Sequence, residues 1–159
     1  MNSIIRERFP IFELYQALRV QLMDILSDED LQFSPGGGNP TFGELCRTIG
    51  ETERSYVDSF GTFEHDFSHR NEEEGLAGSV ERLRAWFESL DRELKAAVGG
   101  LTEEDLETKT IDRGGGFVLP PAIQLEVYKE ALLIFYGKAS VYLKALGRTE
   151  PEQWRQWIA

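Results

Sequence analysis

The sequence predicts an all-α protein, a four-helix bundle with crossover connections, in a single domain over residues 1–159. Three observations carry that expectation. Long stretches repeat apolar residues at steps of three and four. Loops rich in glycine and proline separate them. The order of features in the first half also recurs in the second: LSDEDL at 26–31 and LTEEDL at 101–106 each follow a long amphipathic stretch. Each precedes three consecutive glycines (36–38, 114–116), and each glycine loop then leads through proline into another long helix. Two such helix–loop–helix units bury their apolar faces by packing together, and loops this long suit crossovers better than tight hairpins.

The elements follow in order. The first helix is predicted from about Ile4 or Pro10 to Leu26, with Leu14, Leu18, Leu22, Ile25 and Leu26 as its stripe and Ile11 and Met23 beside it. Ser27 and Asp30 form a capping arrangement, so SDEDL reads as a short helical turn. Thr41 and Glu44 have capping-box spacing and open the second helix, whose apolar face is Phe42, Leu45, Ile49, Tyr56, Phe60 and Phe63. Thr48, Thr52, Ser55 and Ser59 form a second, hydroxylic row. It either packs closely on a neighbour or lines a polar cavity. The stretch 63–79 reads as the frayed helix end followed by a charged connection, with Asn71–Gly75 exposed.

The third helix is predicted over Ser79–Val98, with Val80, Leu83, Phe87, Leu90, Leu94 and Val98 inside and Trp86 alongside. Thr108–Asp112 alternates like a strand and pairs with Phe117 and Val118 across the glycines, a short β-hairpin near 108–118. The last long helix runs from Pro120 to Leu146. Leu125, Tyr128, Leu132, Phe135, Ala139, Tyr142 and Leu146 share its buried face, widened by Ala131 and Ile134. Its middle is apolar nearly all round, which implies burial on several sides and a homodimer interface. A short C-terminal helix docks through Trp154, Trp157 and Ile158.

Composition excludes several partner classes. With 17 Lys plus Arg against 28 Asp plus Glu, the formal charge is −11, which argues against nucleic acid and against an anionic membrane. No apolar run approaches a membrane span, and the charged start MNSIIRERFP does not resemble a signal peptide. One cysteine, Cys46, cannot form an internal disulfide, so a soluble cytoplasmic protein is expected.

Little in the sequence points to catalysis. Neither glycine loop has the lysine and hydroxyl ending that a phosphate-binding loop needs. Cys46 has no histidine near it and reads as a buried structural residue. His65 and His69 are the only histidines; four-residue spacing on a helix would align them for zinc, with Glu53, Glu64 or Asp66 as a third ligand, against a reading of both as solvated.

The stretches LSDEDLQFSPGGGNPTFGELCRTIGETERSYV and EALLIFYGKASVYLKALG resemble the DinB-like superfamily of four-helix bundles. The resemblance implies a divalent metal, often nickel or zinc, held by one histidine of the second helix and two, four apart, of the last. Carried onto this sequence, those positions are Thr48, Ala131 and Phe135, and none supplies an imidazole. No histidine lies in either helix. The expectation is therefore a metal-free, non-catalytic binding or structural bundle with no cofactor. The alternative is a metal-dependent thiol transferase or hydrolase using His65 and His69. Thr48, Thr52, Tyr56, Tyr128, Ala131, Phe135 and Tyr142 are the candidate pocket for a small molecule, or equally core residues.

Overall fold

Side-chain caps satisfy free N–H groups at the starts of three helices, while two of the long helices begin instead with proline in the first turn. The computed structural model describes residues 1–158, with helices α1 (Phe9–Ile25), α2 (Phe42–Thr62), α3 (Val80–Gly99), α4 (Glu103–Thr108), α5 (Pro121–Ala145) and α6 (Glu152–Trp157). A wide helical turn over Ile4–Arg8 precedes α1. Thr41 and Glu44 form the expected capping box: the hydroxyl accepts from Glu44 N–H at 3.2 Å, and the carboxylate accepts from Thr41 N–H at 2.8 Å. Ser27 and Asp30 reciprocate in the same way. Ser79 caps α3, and Thr102 with Asp105 caps α4. At the other end of α3, the Asn2 amide donates to the carbonyls of Val98 (2.7 Å) and Leu101 (2.8 Å).

In their principal packing, α2 lies against α3 and α5, and α1 lies against α3 and α5. The connections α1–α2 and α3–α5 therefore span diagonals of the bundle, which makes both of them crossovers. Exchanging α1 with α3 and α2 with α5 leaves this pattern unchanged, as a twofold repeat requires. The two glycine triplets share a backbone conformation: φ is 82°, 63° and 81° at Gly36–Gly38 and 88°, 62° and 82° at Gly114–Gly116. Residues with a Cβ rarely adopt one such value, let alone three in a row.

The second loop lies in a two-stranded antiparallel hairpin, β1 (Ile111–Asp112) and β2 (Val118–Leu119), in the register Ile111↔Leu119 and Asp112↔Val118. It is shorter than the 108–118 hairpin anticipated and shifted by one residue at its second strand. The outer edge of β1 pairs with the chain just past α2. His65 N–H donates to Asp112 O at 2.7 Å, and Asp112 N–H donates to Phe63 O at 2.9 Å. Helix α2 stops at Thr62, with Phe63 in the left-handed region (φ 60°). Residues 63–65 thus leave the helix and join the hairpin rather than fraying from α2.

The core follows the predicted stripes with instructive exceptions. Leu18, Leu22, Leu83, Leu90, Leu94, Tyr128, Leu132 and Ala139 are fully buried. In α1, however, Phe9, Phe12, Gln16 and Arg19 are buried, while Ile11 and Leu14 are 58% and 48% exposed. The buried face is turned toward a polar centre that hydrophobicity alone does not reveal. In α5, Ile134 does not widen the core; it is 61% exposed. Trp154 is buried, donating its indole N–H to Leu18 O at 3.0 Å, whereas Trp157 is 41% exposed and rests on Tyr15. Asn71 is half-buried, its N–H donating to the Glu51 carboxylate at 2.9 Å.

Candidate functional site

Helices α2 and α5 pack side by side, and a groove of about 200 Å³ runs between them. Thr48 and Thr52 of α2 and Ala131 and Phe135 of α5 line it, together with Leu45, Ile49, Ile134 and Lys138. Four of the seven anticipated pocket residues therefore meet in one place. The hydroxyls of Thr48 and Thr52 donate to the carbonyls four residues back, at 2.9 Å in each case. Both O–H donors are thus satisfied within the helix, and each oxygen keeps lone pairs for an incoming donor. The same two threonines border a second, polar chamber of about 240 Å³ with Glu51, Ser55, Phe67 and Arg70. The hydroxylic row, read as either packing or lining a cavity, divides between the two: Ser59 is buried, and Thr48, Thr52 and the buried Ser55 line the cavities.

The three tyrosines do not line the groove. The Tyr142 hydroxyl donates to Pro40 O at 2.8 Å and anchors the first crossover. Tyr128 points at a polar centre to which all four long helices contribute. Arg19 of α1 donates to Glu53 of α2 at 2.6 Å and to Asp91 of α3 at 2.7 Å, while its guanidinium lies 4.1 Å from the Phe87 ring centre. Gln16 donates to Asp91 at 2.5 Å. The Arg19 and Glu53 side chains are 1% and 0% exposed. Burial holds the Glu53 carboxyl above the usual carboxylate range; Arg19 opposes this and the Asp91 charge adds to it. Burial, then the Glu53 charge, pushes the Tyr128 hydroxyl well up. Glu53 Oε1, Arg19 Nε and the Tyr128 hydroxyl have no hydrogen-bond partner among the described residues. Helical pattern gave no sign of Arg19 or Asp91, because a charged residue on a stripe edge reads as solvated.

His65 and His69 are not on a helix, so the spacing that would pair them does not apply. His65 is buried beneath Phe67, whose ring stacks on it at 3.9 Å, and Tyr56 meets it edge-on at 4.4 Å. Its protonation follows from its partners. Arg113 can only donate, so the contact at 2.6 Å fixes Gln124 Oε1 toward it. The Gln124 NH₂ then faces Ser59 Oγ (3.0 Å) and His65 Nδ1 (2.6 Å). Nδ1 must accept, and the proton sits on Nε2, which has no partner among the described residues. Burial first, and the Arg113 charge second, depress the imidazole pKa to about 4. Tyr56 meets the same guanidinium at 3.4 Å.

The metal that a DinB-like bundle implies does not fit the donor set here. Ala131 and Phe135 have no donor atom, and a threonine hydroxyl alone is a poor ligand for nickel or zinc. Among the described residues, no three His, Cys, Asp or Glu side chains cluster as a metal site would need. Cys46 is buried, and burial pushes its thiol up to about 12, which leaves it protonated and unreactive. No helix among the described residues is long and apolar enough to cross a membrane.

Comparison with known proteins places this fold in a known class. Residues 12–130 match the model of the DinB superfamily, and the chain belongs to that family. The matched residues include Thr48 but end just before Ala131 and Phe135. The fold is similar to that of a DinB-like protein from Bacillus subtilis, with a TM-score of 0.70 and 18% identity over 94% of this chain and 95% of that one. It is also similar to a DinB-like protein from Bacillus cereus, with a TM-score of 0.72 and 18% identity over 90% of this chain and 93% of that one. No curated protein matches the sequence.

Proposed function

We propose that this DinB-family chain is a metal-free bundle that acts by binding a small molecule between α2 and α5, without catalysis. The observation that carries this reading is the groove wall itself. A methyl group and a phenyl ring stand at Ala131 and Phe135, beside Thr48, where the family resemblance puts imidazoles. The result is a groove with apolar walls, two hydroxyls and Lys138 at its edge, suited to holding a ligand and without the imidazoles that would hold a metal. The test is metal content. Untagged protein incubated with excess nickel or zinc and then desalted is expected to retain well under one equivalent. Near-stoichiometric retention at the bundle would overturn the reading.

The outer face of α5 supports a second proposal, a homodimer. Ile123, Ile134 and Val141 are 43%, 61% and 59% exposed and share one helical face. Sedimentation velocity is expected to show a dimer that Val141→Glu weakens; a monomer at micromolar concentration would refute it. A single free cysteine fits a reducing compartment, and we place the protein in the cytoplasm.

A further inference from the structure

We propose that the α2–α5 groove takes an anionic amphiphile, a short- to medium-chain alkyl carboxylate, with its head at Lys138 and its tail along Ala131 and Phe135; this rests on the binding role proposed above. The chain carries −11 overall, so an anion is repelled from most of its surface and needs a local cation. Among the described residues, Lys138 is the only charged one that lines the groove, and it makes no ion pair with any of them. It stands exposed at the groove's edge. From there the walls are apolar: Ile134 and Ala131 on α5, Leu45 and Ile49 on α2, and Phe135.

The polar chamber beyond Thr48 and Thr52 is a poorer seat for the head. It holds Arg70, but also the Glu51 carboxylate, so its charges offset. A carboxylate there would meet one favourable and one unfavourable neighbour. At Lys138 the charged lining residue is the favourable one. The tail replaces water along an apolar trough, and each added methylene should tighten binding about fourfold until the trough is full. An ion pair at an exposed lysine adds about two- to fivefold.

The test is calorimetry, with backbone amide shifts to locate the site, on the full chain. The probes are n-alkyl carboxylates from butanoate to decanoate, kept below their micellar range, and the matching 1-alkanols. The carboxylates are expected to gain about fourfold per methylene and then level off. Lys138→Gln should reduce each carboxylate to the affinity of its alcohol, while Arg70→Gln leaves it within twofold. Ala131→Phe, or Thr52→Phe from the opposite wall, should abolish binding with the helical circular dichroism intact. If alcohols and carboxylates bind alike and both are lost in Ala131→Phe, the groove stands as a binding site and the anionic head is wrong. If Arg70→Gln weakens binding and Lys138→Gln does not, the head assignment is wrong. If decanoate does not bind, or binds undiminished in both groove-filling variants, the proposal is overturned, whatever the metal analysis shows.

Discussion

Replacing Arg19 with methionine removes the one positive charge that two carboxylates share at the centre of the bundle. Glu53 is fully buried and bonds Arg19 at 2.6 Å; Asp91 is 24% exposed and bonds it at 2.7 Å. In Arg19→Met the Glu53 carboxylate has no counter-charge and must be protonated or forced open. Breaking one end of a buried pair costs about 3–5 kcal/mol. At about 2–4 °C per kcal/mol for a domain of this size, the melting temperature should fall by about 6–20 °C. Replacing both buried ends with apolar groups is far less damaging, because the carboxylate that still loses its partner, Asp91, is 24% exposed and keeps its bond from Gln16. The double variant Arg19→Met with Glu53→Leu should therefore recover at least about 2 kcal/mol of the loss. Urea unfolding at neutral pH, followed by circular dichroism, measures both. A single variant costing under about 1 kcal/mol, or a double variant no better than the single one, would refute the claim that this cluster is a dry, mutually dependent ion pair.

Three further predictions are more local. The His65 imidazole should titrate near pH 4 by NMR, with the proton on Nε2 above that. Because its folded pKa lies below the ordinary value of about 6.5, the unfolded chain takes up its proton first. The contribution to stability is complete above that value and is lost as pH falls toward 4; an NMR pKa near 6.5 would contradict the buried, accepting Nδ1. Gly43→Ala should cost about 1–3 kcal/mol in urea unfolding, since a Cβ at Gly43 would overlap the Ala77 carbonyl, which is backbone and cannot rotate away. Cys46 should resist thiol reagents in the folded protein at pH 8 and react once urea unfolds it.

The sequence made the fold legible where a local rule acts alone. Thr41 with Glu44, Ser27 with Asp30 and the paired glycine triplets all behave as their spacing implies, because a cap or a left-handed turn depends on few neighbours. The groove was half legible. Thr48, Thr52, Ala131 and Phe135 meet there, while Tyr56, Tyr128 and Tyr142 do not, because each hydroxyl is directed elsewhere: to Arg113, to the Glu53 centre and to Pro40. Arg19, Asp91, Gln124 and Arg113 were not legible as interior or half-buried residues. A charge is expected in water until a partner from another helix is brought to it, and that pairing is a property of tertiary packing. The same holds for His65, whose place is set by the hairpin edge at Asp112 rather than by its own helix.

The proposal that this bundle holds no metal rests on what occupies three positions, Thr48, Ala131 and Phe135, within an unchanged frame. Nickel titration by calorimetry, run on the natural chain and on one carrying Thr48→His, Ala131→His and Phe135→His, tests it most directly. The expected result is no specific binding to the natural chain and about one ion per chain for the triple variant. Tight, stoichiometric binding to the natural chain would contradict it.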